Sequence, residues 1–166
     1  GAGPAVPWEG FQRAAREALA ALQLGLDGER VVIKPNVTAG ELRPPDPDSG
    51  IGVHAGFVQG MVEYLRGHGA RSSRITIAED PRNADDNAPR HWRGTGYETM
   101  APQLGVKLYT PTTYTCVKRP VPHPLAHPML NVSRLAVQPG TVLINVPKLK
   151  THNLSITTLC LKNLMG

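Results

Sequence analysis

The stretch GFVQGMVEYLRGHGARSSRITIAED, Gly56 to Asp80, carries two periodicities in succession, and the switch between them decides the fold. Phe57, Val58, Met61, Val62 and Leu65 recur at spacings of three and four, which sets them on one face of a helix. Gly67 to Gly69 terminates that helix. Arg74 to Ala78 then alternates as a strand, RITIA, and closes on Glu79 and Asp80. Upstream, Val31 to Ile33 opens an earlier strand with Lys34, Pro35 and Asn36 at its C-terminal end. Strand, helix and strand joined in this way form a βαβ unit with a right-handed crossover. Both strands then end on one rim, where a parallel sheet presents side chains to a ligand, so Lys34 and Glu79 are expected to share it.

Working outward, Trp8, Phe11, Ala15, Ala18, Leu19 and Leu22 predict an amphipathic helix from about Trp8 to Leu24, ended by Gly25. Residues 38–53 are rich in proline, glycine and acids without periodicity, and read as a loop; long loops in compact domains are usually functional or disordered. His54 stands near the start of the central helix, where exposed N–H groups favour anions, although a cap or surface role is the ordinary alternative. Arg82, Arg90, His91 and Arg93 surround Trp92 in a polar segment, a pattern that suits base stacking or a loop packed on the indole. A short helix over Tyr97 to Leu104 must accommodate Pro102, which is tolerated near a first turn. Val106 to Tyr109 supplies a third strand. Thr110 to Pro128 is the least regular stretch, and its prolines forbid the helix on which His123 and His127 would form a metal pair. Leu130 to Val137 reads as an edge strand or hairpin arm.

The segment TVLINVPKLKTHNLSITTLCLKNLMG, Thr141 to Gly166, begins with a β-branched strand, Thr141 to Val146, stopped by Pro147. Lys148, Lys150 and His152 follow at alternate positions. Ser155 to Leu164 reads as an apolar helix carrying Lys162 and Asn163. The charge is uneven: residues 1–98 hold 11 Lys and Arg against 13 Asp and Glu, whereas residues 99–166 hold 7 Lys and Arg and no carboxylate side chain. So long a tract without acids makes a positive field, answered either by an anionic ligand or by the acids between Glu79 and Asp86.

The expected architecture is a single α/β domain, a mostly parallel sheet with βαβ units and flanking helices. It comprises an N-terminal helix and lead-in (1–29), a βαβ core (30–110), an irregular proline-rich segment (111–140) and a strand–loop–helix (141–166). At 166 residues there is room for one real core. No apolar run approaches the roughly 18 residues of a membrane span, and residues 1–7 lack the basic start and apolar run of a signal peptide. A cytoplasmic protein without membrane contact is expected. Cys116 and Cys160 form no CxxC pair and read as reduced thiols.

The phrases VVIKPNV, GFVQGMVEYLRGHGA, ITIAED and NVPKLKTHNLSITTLCLKNLMG, in this order, resemble the family called domain of unknown function 362, from about Arg30 to Gly166. That family is often found in iron-sulfur proteins, so the resemblance implies an iron-sulfur protein or a second subunit as partner. A cluster takes about four thiolates, and two cysteines cannot supply them; a cluster here would need residues outside this chain. The resemblance also implies sequence beyond the KN phrase, so the chain is expected to be part of the family domain.

Two functional classes follow. In the first, Lys34, Lys150 and Lys162, with Asn36, His54 and Asn163, bind a small anionic substrate or cofactor, and Lys148, His152 and Glu79 carry acid–base chemistry, whether racemase-like or linked to an oxidoreductase. In the second, the basic C-terminal tract belongs to a non-enzymatic binding or assembly module that meets an acidic partner or nucleic acid. Nucleic acid is disfavoured, because the chain has no recognised reading motif and only 5% aromatic residues. The ordinary alternative to both is intramolecular neutralisation of the acidic cluster by the lysines.

Overall fold

The computed structural model describes residues 6–24, 26, 29–37, 50–80, 92–152 and 156–164, apart from the side chains at 113, 152 and 156–158. Twelve regular elements occur among them: α1 (Trp8–Leu22), β1 (Arg30–Pro35), α2 (Ala55–Gly67), β2 (Ile75–Ala78), α3 (Tyr97–Leu104), β3 (Lys107–Tyr109), β4 (Cys116–Pro120), β5 (Met129–Ser133), β6 (Thr141–Val146), β7 (Lys150–His152), β8 (Ile156–Thr158) and α4 (Cys160–Asn163).

The principal sheet has the order β3-β2-β1-β6, and every pairing in it is parallel. β1 and β2 are its interior strands because they are buried along nearly their whole length, as continuous runs of Val and Ile require. Val31, Ile33, Ile75 and Ile77 face the helices and share one core with Ala15 and Leu19 of α1 and Val58, Met61, Val62 and Leu65 of α2. Each such aliphatic side chain contributes on the order of 2 kcal/mol when removed from water. The fold is therefore a single α/β domain built on a four-stranded parallel sheet.

Several boundaries differ from the sequence reading. α1 stops at Leu22, and Gln23 takes the left-handed conformation that Gly25 was expected to supply; Gly25 itself lies outside the described residues. α3 holds Pro102 in its second turn and ends directly afterwards on Gly105, also left-handed. The proline-rich segment is less irregular than its composition suggests, because Cys116–Pro120 pairs antiparallel with Met129–Ser133. The hairpin arm expected over 130–137 is thus β5, and residues 134–137 turn away from it.

The largest correction concerns the C-terminal segment. Instead of a helix from Ser155 to Leu164, Ile156–Thr158 forms a strand antiparallel to Lys150–His152, and only Cys160–Asn163 is helical. Ile156, Thr157 and Thr158 are β-branched, and a partner strand outweighs the weak helical pattern of so short a run. The loop residues 38–49 and the arginine-rich segment 81–91 lie outside the described residues. Trp92 is buried in the core, where its indole nitrogen donates to Thr110 Oγ1 at 3.0 Å and its ring tilts against Tyr97.

Candidate functional site at the carboxyl rim of the sheet

The chain builds β1, β2 and β3 outward in one direction and then returns to lay β6 against the other side of β1. The β1–β6 junction is where strand order reverses, and the crevice beyond such a junction is the favoured ligand position in open α/β sheets. Lys34 stands in register with Asn145 there, and Asn36 N–H donates to the Val146 carbonyl at 3.0 Å before Pro147 halts the ladder.

Lys34 and Glu79 meet at this rim. The Lys34 amine donates to Glu79 Oε1 at 2.8 Å, and both side chains are buried. Asp80 N–H donates to the same oxygen at 2.8 Å, and Val37 N–H donates to Oε2 at 3.2 Å. The carboxylate thereby ties the ends of β1 and β2 together and aims the lysine. Burial pushes the Glu79 carboxyl above its usual range, and Lys34 only partly opposes this. Beneath it, fully buried Tyr97 donates its hydroxyl to the Val53 carbonyl at 2.9 Å. Burial, and then the neighbouring Glu79, push that phenol well upward, so it stays a proton donor.

Asn163 completes the junction. Its amide nitrogen donates to the Lys34 carbonyl at 3.1 Å and to Asn145 Oδ1 at 2.7 Å, while Asn145 Nδ2 donates to the Cys160 carbonyl at 3.0 Å. The two amides bolt α4 to β1 and β6. Both acceptors fix which way the Asn163 amide points, and its Oδ1 is left buried without a donor among the described residues.

Lys150 on β7 reaches the Ile51 carbonyl at 3.0 Å. Its amine is pushed below the usual lysine range, first by burial and then by Lys162 and Lys148, with Glu79 opposing. Lys150 thus feels the fields of Lys162, Lys148 and Glu79. Among the described residues the ion pairs are Arg16–Glu63 and Lys34–Glu79, so Lys148, Lys150 and Lys162 have no carboxylate partner there. Of the acids named in the ordinary alternative, Glu79 is paired with Lys34; Asp85 and Asp86 lie outside the described residues.

His54 and His152 stand differently. His54 caps α2, its Nδ1 accepting from Gly56 N–H at 3.0 Å, and its ring stacks on Phe11 at 4.0 Å and meets Trp8 edge-on. That nitrogen is occupied by the helix end. His152 closes β7, and its side chain lies outside the described residues. Asn36 is buried at the end of β1, where its carbonyl accepts from Val53 N–H at 2.7 Å. Cys116 and Cys160 are free thiols, and no group of three or more His, Cys, Asp or Glu is placed to hold a metal among the described residues.

Asn145 and Tyr97 were not among the residues singled out from sequence. Asn145 had a signal, a lone amide inside the apolar run TVLINV. Tyr97 had none, since a tyrosine at a helix start says nothing of a carboxylate at the end of the preceding strand.

The fold and this rim define a parallel α/β domain with lysine amines gathered beyond the ends of its strands. Residues 31–166 match the family described as Domain of unknown function (DUF362), and the chain belongs to that family. Neither the curated proteins nor the solved structures contain a match to the chain. No helix among the described residues is long and apolar enough to cross a membrane.

Proposed function

We propose that the carboxyl rim of the sheet binds a small anionic substrate or cofactor between β1, β6 and the β7–β8 hairpin. The observation that carries this reading is the company Lys150 keeps: its amine is partly buried beside two other lysines, with no carboxylate at ion-pair distance among the described residues. Gathering like charges is unfavourable by itself, and an anion would relieve it. The buried Oδ1 of Asn163, without a donor among the described residues, would accept from a ligand N–H or O–H, since a buried acceptor left unmade costs about 1–3 kcal/mol. A hydroxy acid, an amino acid or a protonated phosphate combines both features.

The enzymatic form of this reading has support at Glu79, whose carboxyl burial pushes above its usual range, toward the range in which an acid exchanges protons near neutrality. Glu79 also holds Lys34 in place. Proton transfer is assigned to Lys148 and His152, with Glu79 as the third member. An iron-sulfur partner or second subunit, the redox alternative, would dock from outside this chain.

Lys150→Ala and Lys148→Ala are each expected to weaken inorganic phosphate or small-carboxylate binding by about tenfold or more, since a charge-assisted hydrogen bond is lost. The thermal midpoint should hardly move. Calorimetry of both variants against the parent checks this, and unchanged affinity in both removes the pocket. The pH dependence has a definite sign. Because the Lys150 pKa is depressed, anion affinity should fall as pH rises toward the ordinary lysine range, earlier than for an exposed lysine. Binding at alkaline pH should take up protons, seen as a buffer-dependent heat, and Lys150→Arg should abolish that uptake while keeping the anion.

A further inference from the structure

A second concavity lies at the other end of the sheet. Thr76 and Lys107 are register partners, and Tyr109 sits two residues beyond Lys107, so the three share the face of β2 and β3 turned away from Ile75 and Ile77. Over this floor the 113–115 turn and the residues that follow β5 form a roof, joined by Arg134 N–H donating to the Thr115 carbonyl at 3.0 Å. The cavity between them measures about 380 Å³ and is also lined by Tyr114, Arg134 and Gln138. β1 and β2 separate β3 from β6, so this space is distinct from the β1–β6 junction.

Its lining has a definite chemistry. Lys107 and Arg134 bring two cations; among the described residues no carboxylate lines the space and neither cation is ion-paired. Tyr109 and Tyr114 bring two aromatic rings, and Tyr114 is 94% exposed, with its faces open to a ligand. Thr76 and Gln138 add hydrogen-bonding groups. A bare inorganic anion would leave both rings and most of the volume unused. A neutral aromatic would leave two cations unanswered. A ring stacked on tyrosine, joined to an anion held by arginine and lysine, uses the whole lining, and the volume falls within the range of small-ligand sites. We propose that this cavity is a second binding site, for a planar aromatic anion of mononucleotide size.

The test is an NMR titration of the chain that follows the ring signals of Tyr109 and Tyr114, with adenosine 5′-monophosphate, adenosine and inorganic phosphate as probes. The nucleotide should shift both rings, and the other two should do so at least about tenfold more weakly. Arg134→Ala should weaken the nucleotide about tenfold and Tyr114→Ala about fivefold, whereas Lys150→Ala should leave these shifts unchanged. Tyr114 is exposed enough that its replacement cannot disturb the core, so it carries the test should Arg134→Ala misfold. The site is overturned if the nucleotide leaves both rings unmoved, if adenosine or phosphate alone does as well, or if Lys150→Ala abolishes the shifts while Tyr114→Ala and Arg134→Ala keep them. The last result would place the nucleotide at the rim.

Discussion

Replacing Glu79 with glutamine is expected to cost about 3–5 kcal/mol of folding stability, the range for removing one member of a buried ion pair. The reason is local. Lys34 has its amine on Glu79 Oε1 at 2.8 Å, and both groups are almost withdrawn from solvent, so the neutral amide would leave an ammonium buried opposite a far weaker acceptor. Lys34→Met should cost a similar amount. The double variant Lys34→Met/Glu79→Gln should recover much of the loss, because the desolvation cost of both charges disappears together. Urea unfolding of the four proteins measures the coupling. Additive losses in the double variant would show that the two groups act separately. The pair also predicts a pH slope. Burial holds the Glu79 carboxyl above its ordinary value, so the folded state keeps this proton more tightly than the unfolded chain. The stability from that linkage is fully present below the unfolded-state value and is lost as pH rises through the raised folded-state value. Glu79→Gln should flatten that slope.

The second large effect is expected at Gly60, inside α2. A Cβ added there would lie 2.3 Å from the Gln12 carbonyl oxygen and 2.6 Å from the Gln12 Cα, both backbone atoms of α1. Helix α1 cannot retreat without breaking the contacts around it: Trp8 Nε1 donates to Gln59 Oε1 at 2.8 Å, and Arg16 pairs with Glu63 at 2.8 Å. Gly60→Ala should therefore destabilise the domain by about 3 kcal/mol, at the upper end of overpacking costs, even though alanine is by itself the better helix former. A thermal melt that rises for Gly60→Ala would mean that the two helices do not meet so closely. Gly67→Ala is the control, since its added Cβ meets nothing within 4 Å; that variant should be neutral or slightly stabilising.

Gly60 marks a boundary between what local pattern reveals and what it hides. In the sequence it is one small residue between Phe57 and Met61 on an otherwise ordinary helix, and nothing within α2 announces a backbone from elsewhere in the chain. Asn145 and Asn163 pose the same problem. Each is legible as a polar residue among apolar ones, but their mutual hydrogen bond at 2.7 Å depends on α4 returning to the end of β6. Tyr97 likewise gains its meaning from Glu79 and Val53, which come from other elements.

The order of Val31–Ile33, the apolar face of 57–65 and the alternation of 74–78 determined by themselves the βαβ unit, its parallel strands and the placing of Lys34 and Glu79 on one rim. Strand period, helix period and the hand of the crossover leave few other arrangements. Only the tertiary structure decided that Cys116–Pro120 and Ile156–Thr158 are strands, that β6 lies beside β1, that Lys150 reaches the carbonyl of Ile51, and that β2 and β3 floor a second cavity. Short segments have too little periodicity to choose a conformation alone, so partners distant in the chain choose it for them by supplying hydrogen bonds and buried surface.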